Sequence, residues 1–158
     1  PGNGDFYGTN AALLATDGAT VTIQEEPPLS VTPSSSALSG TYTVSGQVVT
    51  ATYDKPCKVG YLSGGKYVAA PAVASGSGYA FTLPDGITEA ILVVKGDVNG
   101  DGKINIADVN RLFRYTSKKE ITLSDEQYFA ADVNLDKKVN IADVNRLFRF
   151  TTKQITTL

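Results

Sequence analysis

The chain of 158 residues has no histidine, methionine or tryptophan, and only one cysteine. Without histidine there is no Ser/His/Asp or Cys/His nucleophile system, no histidine-ligated zinc and no imidazole acid or base. Cys57 alone cannot close an internal disulfide or build a cysteine metal cluster, and it reads as a small buried hydrophobe. No apolar run approaches the roughly twenty residues needed to span a bilayer, so membrane insertion is not expected. Excess positive charge is missing too. Residues 1–94 carry three Lys and Arg against seven acids, and residues 95–158 carry eleven against nine, which excludes non-specific nucleic-acid binding. A sequence that opens on Pro1 with no signal-peptide pattern and contains no methionine reads as a piece of a longer polypeptide. Asp85 and Glu89 form the one carboxylate pair worth considering for hydrolysis, but nothing around them predicts a cleft. No catalytic residue is assigned, and the chain is not expected to be an enzyme.

The first ninety-odd residues are rich in Thr, Val, Ser, Gly and Tyr, and they break into short alternating runs. Alternation of this kind predicts strands at 19–24, 41–44, 47–53, 58–62, 66–70, 79–83 and 89–94. Ser45-Gly46, Ser63-Gly64-Gly65 and Asp85-Gly86 supply turn residues between them. Six or seven short strands predict a small antiparallel sandwich of immunoglobulin-like type. Residues 1–28 read as linker or an irregular strand, and 31–40 likewise. Tyr42, Tyr53, Tyr61, Tyr67 and Tyr79 raise a second reading, in which this part is a carbohydrate-binding module with stacking platforms.

A near-exact duplication dominates the remainder. Residues 97–118 (DVNGDGKINIADVNRLFRYTSK) and 132–153 (DVNLDKKVNIADVNRLFRFTTK) agree at 17 of 22 positions. In the first copy, oxygen-bearing side chains fall at Asp97, Asn99, Asp101, Asn105 and Asp108, which are loop positions 1, 3, 5, 9 and 12. Calcium takes six to eight hard oxygens, and this is its ligand spacing, with the Lys103 carbonyl completing position 7. The second copy offers Asp132, Asn134, Asp136, the Lys138 carbonyl, Asn140 and Asp143. Two Ca2+ ions are therefore expected. The pattern departs from the usual EF-hand in having Asp at position 12 and, in the second loop, Lys137 where Gly102 stands in the first. A residue with a Cβ at that turn costs on the order of 1 kcal/mol, so the second site should bind less tightly. No helix leads into the first loop, because residues 91–94 read as a strand. An EF-hand-like calcium sensor or buffer is the alternative function, and the missing entering helix speaks against it.

Helices are predicted after each loop, at about 106–116 and 141–151, with a short one opening on the capping box Ser124-Asp125-Glu126-Gln127 and ending by Ala131. At 100° per residue, Val109 and Leu112 share one stripe with Thr116 and should meet Val144 and Leu147 in a core. Ile106, Asn110, Phe113 and Arg114 fall on a neighbouring stripe, matched by Ile141, Asn145, Phe148 and Arg149. An apolar patch rimmed by Arg marks a protein interface. The competing reading places Phe113 and Phe148 in the core.

Duplicated calcium loops with Asp at position 12, no helix before the first, and the Val-x-x-Leu-x-Arg-type helices resemble a dockerin of cellulosome or amylosome type over residues 96–158. The resemblance implies an all-α dockerin domain with two loop-helix (F-hand) repeats and a short middle helix. It also implies a cohesin domain of a scaffoldin or cell-surface anchoring protein as partner, an extracellular location, and contact with polysaccharide only through the parent protein. Its partner-contact positions fall on Ile106, Ala107, Phe113, Arg114 and Lys118, and on Ile141, Ala142, Phe148, Arg149 and Lys153. Ile-Ala replaces the Ser-Thr found in many dockerins, which implies an apolar partner surface. The identity of the two sets implies that either helix can face the partner. Residues 1–95, running through GYAFTLPDGITEAILVVKGDVNGDGKIN straight into the first loop, are similar to the X modules of ruminococcal X-module–dockerin pairs. Two domains are therefore expected, 1–95 and 96–158. The tail residues Ile155 and Leu158 should close the second against Ile91 or Val93. Below roughly 70–80 residues a core alone is a weak support, so calcium should act as the staple.

Overall fold

The computed structural model describes residues 27–34, 40–119 and 121–158. The strand expected at 19–24, and most of the expected linker 1–28, lie outside them. Eight strands form two four-stranded sheets: β1 (Ser30–Pro33), β2 (Gly40–Ser45), β3 (Val48–Tyr53), β4 (Cys57–Ser63), β5 (Lys66–Ala69), β6 (Ala72–Ser75), β7 (Gly78–Thr82) and β8 (Glu89–Val94). One sheet has the order β1-β8-β4-β5 and the other β2-β3-β7-β6. The hairpin β4–β5 turns at Gly64 and Gly65, both at positive φ, as a two-residue hairpin loop requires. Alternate residues from the two sheets, including Val49, Ala51, Val59, Phe81 and Leu92, close the main core between them.

Three helices follow: α1 (Ile106–Thr116), α2 (Asp125–Ala131) and α3 (Ile141–Thr151). α1 and α3 pack together through Val109, Leu112, Val144 and Leu147, with Val98 and Ala131 in the same cluster. Among the described residues, no helix is long and apolar enough to cross a membrane.

The expected fold class, an immunoglobulin-like antiparallel sandwich followed by a separate all-α domain, is corrected on two points. The expected sandwich is wholly antiparallel. The observed region is sandwich-like with eight strands, and one sheet is mixed, its edge strand β1 running parallel to β8 in the register Ser30↔Glu89 to Pro33↔Leu92. No strand follows β8, because the chain turns at Gly96 into the first loop. The helical part also falls short of an all-α domain. Its helices have only 11, 7 and 11 residues, and the middle one packs on the sandwich. Phe129 and Ala130 of α2 form a third cluster with Ile91 and Val93 of β8, flanked by Tyr67 and Ala69 of β5.

That contact depends on a gap in the sheet. A Cβ on Gly60 would stand 2.5 Å from the Phe129 ring, so only glycine lets the ring lie on β4. The position expected for the tail is corrected for the same reason. α2 already covers Ile91 and Val93, and Leu158 packs instead with the α1–α3 cluster, its side chain near Gly96. Lys95 Nζ donates to the Leu158 carbonyl at 2.7 Å.

Candidate metal centre and docking faces

Each loop is a backbone wound around two aspartates. In the first, Asp97 Oδ1 accepts from the Gly100 and Asp101 amides at 2.8 and 3.0 Å, and Oδ2 from Gly102 at 2.7 Å. Asn99 Oδ1 accepts from Asp101 N and Asp101 Oδ1 from Lys103 N, both at 2.9 Å. Asp108 reaches back across the loop. Its Oδ1 accepts from Val98 and Asn99, and its Oδ2 from Asn105. Asn105 caps α1 by accepting from Ala107 N, so the last acidic residue of the loop is also the third residue of a capping box.

The second loop repeats the scheme. Asp132 accepts from Asp136 and Lys137, Asn134 from Asp136, and Asp136 from Lys138. Asp143 takes Val133, Asn134 and Asn140, while Asn140 caps α3. Gly100 and Gly102 stand at φ 80° and 81° in the first loop, where the second has Leu135 and Lys137 at 65° and 68°.

Asp108 and Asp143 are wholly buried, and Asp97 and Asp132 nearly so. Burial pushes the carboxyls of Asp97, Asp108 and Asp143 above the ordinary aspartate range, and the backbone N–H bonds only partly oppose it. No close ion pair to these carboxylates is seen among the described residues, although the buried Lys58 ammonium acts at longer range on Asp132 and Asp143. Their oxygens are turned onto amides, and no group of three or more His, Cys, Asp or Glu side chains gathers as a metal site among the described residues. The donor chemistry nonetheless fits a hard cation. Each loop combines buried, unneutralised carboxylates with Asn amide oxygens and a backbone carbonyl, and contains no sulfur or nitrogen ligand. A bound divalent ion would supply the charge that burial leaves uncompensated.

The faces beside the loops are open. Ile106 and Phe113 are 52% and 47% exposed, and Ile141 and Phe148 are 54% and 43% exposed, so neither phenylalanine belongs to the core. Ala107, Asn110, Arg114 and Lys118 are exposed around the first pair, as are Ala142, Asn145, Arg149 and Lys153 around the second.

Residues 95–150 match the family model of the dockerin type I domain. No curated protein matches the chain. Dockerin domains are non-catalytic modules that bind calcium, dock onto cohesins and occur in extracellular cellulosome proteins. The dockerin match begins at Lys95, the residue after β8, and ends inside α3.

One residue that matters to the dockerin segment escaped the sequence reading. Lys58 of β4 is only 4% exposed. Its ammonium donates to the Asp132 carbonyl at 2.8 Å and lies 4.1 Å from the centre of the Phe129 ring. Burial lowers it to about 8, with Asp132 pulling the other way. The signal was present in β8, whose run Ala90–Val94 is apolar on both faces and implies a cover on each. The neighbouring Cys57 is half-buried, with its thiol pushed up to about 11 by burial, which makes it a packing residue and a poor nucleophile.

Proposed function

We propose that this chain is a non-catalytic, calcium-dependent docking unit. It binds a cohesin domain of a scaffoldin or cell-surface anchoring protein and thereby anchors its parent protein in an extracellular polysaccharide-degrading complex. Residues 96–158 form the docking unit, and residues 1–95 act as an X-module-like companion that stabilises it. Two Ca2+ ions are held by Asp97, Asn99, Asp101, the Lys103 carbonyl, Asn105 and Asp108, and by Asp132, Asn134, Asp136, the Lys138 carbonyl, Asn140 and Asp143. The observation that carries this reading is the pair of near-identical exposed faces, each standing on the helix that its own loop caps.

What the residues do follows from their placement. Asp108 and Asp143 tie each loop to the first turn of its helix, so an ordered loop fixes the direction of Ile106–Phe113 or Ile141–Phe148. The apolar pair supplies contact area, and Arg114 or Arg149 supplies a directed rim contact. A calcium sensor works by opening a pair of helices around its loop. β8, rather than a helix, precedes the first loop, which favours docking over sensing. The tyrosines named as sugar platforms are mostly engaged in packing. Tyr42, Tyr53 and Tyr61 pack against the sandwich core, Tyr67 lies on Phe129, and Tyr79 stands exposed.

Calorimetry of the full chain against a cohesin panel, with calcium and with chelator, tests the proposal. Binding is expected to at least one cohesin and only with calcium. Replacing Phe113 and Arg114 by Ala should weaken it by about 1 kcal/mol or less, because the second face takes over. Replacing Phe148 and Arg149 as well should abolish it. Binding that survives all four changes would dismiss both faces.

A further inference from the structure

The two loops share a ligand set but not a support. The first is fed by β8, and its two left-handed positions are glycines. The second begins at Asp132, where α2 ends, and its left-handed positions are Leu135 and Lys137. Such residues adopt this conformation at a cost of roughly 1–2 kcal/mol each, so the second loop needs help from outside itself.

Lys58 sits where that help is needed. Asp132 caps α2, and its carbonyl lies at a helix end, where carbonyls lack intrahelical partners and cations are favoured. A lysine that belongs to the sandwich, seventy-four residues away in sequence, donates to it. Phe129, one turn earlier in the same helix, lies beneath the same ammonium, and the Gly60 gap lets it do so. The backbone at the start of the second loop is thus pinned to β4, while the first loop runs on directly from β8.

We infer that Lys58 is a positioning residue for the second calcium loop and not for the first. This coupling makes calcium capture at the second loop depend on the sandwich. The inference rests on the calcium reading above. Lys58 bonds the Asp132 main chain rather than its carboxylate, so its support acts by fixing where that carboxylate starts. Its own charge works in the opposite direction, since a buried cation repels an arriving divalent ion. Deleting the charge alone would therefore tighten the second site, whereas deleting the support loosens it, and the sign of the change separates the two effects.

The test is a calcium titration of the full chain and of its Lys58→Met variant, followed by amide NMR. Gly102 N and Lys137 N occupy the same loop position and donate to Asp97 and Asp132, so each amide reports its own loop. Methionine fills the lysine volume and suits the Phe129 ring, and the Val49 and Phe81 amides check that the sandwich is intact. The Lys137 midpoint is expected to rise about tenfold or more, as for loss of an outer support to a metal site. The Gly102 midpoint should stay within about twofold. Equal shifts at both amides, no shift at either, or a tighter second site would overturn the inference. Silence of both amides to calcium in the unaltered chain would instead remove the calcium reading, and this inference with it.

Discussion

Residues 97–108 and 132–143 are near copies that reach one geometry by different routes. The first has its freedom built in, as Gly100 and Gly102. The second has Leu135 and Lys137 in their place and is braced by a helix end and a lysine from β4. The difference shows that the same left-handed turns can be made by glycine, which adopts them freely, or by residues with a Cβ whose loop is held from outside. It also shows why the β region and the helical part cannot be understood separately, since one cluster, Ile91, Val93, Phe129 and Ala130, belongs to both.

The strongest way to break the comparison is to withhold calcium, which on the proposed reading would empty both loops. At a thousandfold excess over Kd, each ion contributes about 4 kcal/mol to the folded form. Chelator should therefore melt α1 and α3 while β3, β4 and β7 keep their slowly exchanging amides, as hydrogen exchange would show. Coincident loss of both regions would mean that the sandwich depends on the helices. Next in size is Gly60→Val. The added methyls would displace Phe129 and cost about 1–3 kcal/mol in thermal unfolding, with the second loop affected more than the first. The smallest effect sharpens the comparison by making the loops alike. Lys137→Gly should relieve backbone strain and stabilise the calcium-loaded chain by on the order of 1 kcal/mol, measurable as a raised Tm. A lowered Tm would show that the lysine side chain is needed where it is.

The helical part was legible because its signals are local. The Ser124–Gln127 capping box is legible directly, while Asn105 with Asp108 and Asn140 with Asp143, which read only as loop ligands, form the same box within one turn. The exposure of Phe113 and Phe148 followed from a stripe that neither Val109 nor Leu112 occupies. The β part was harder. β1 pairs with a strand nearly sixty residues further on, and its Ser- and Pro-rich surroundings carry no alternation that would announce a parallel partner. β6 is four small residues, all exposed, and gives no periodic signal at all. Lys58 alternates with Cys57 and Val59 as a solvent-facing residue should. Only tertiary packing, α2 lying over that face, turns it inward.

The double duty of Asp108 and Asp143 has a corollary. Because one carboxylate both seals the loop and starts the helix, loosening of either loop should fray the first turn of the helix that follows it. If each loop takes one ion as proposed, ordering of its face should follow a simple hyperbolic calcium response with no steeper rise, unless the two loops are coupled.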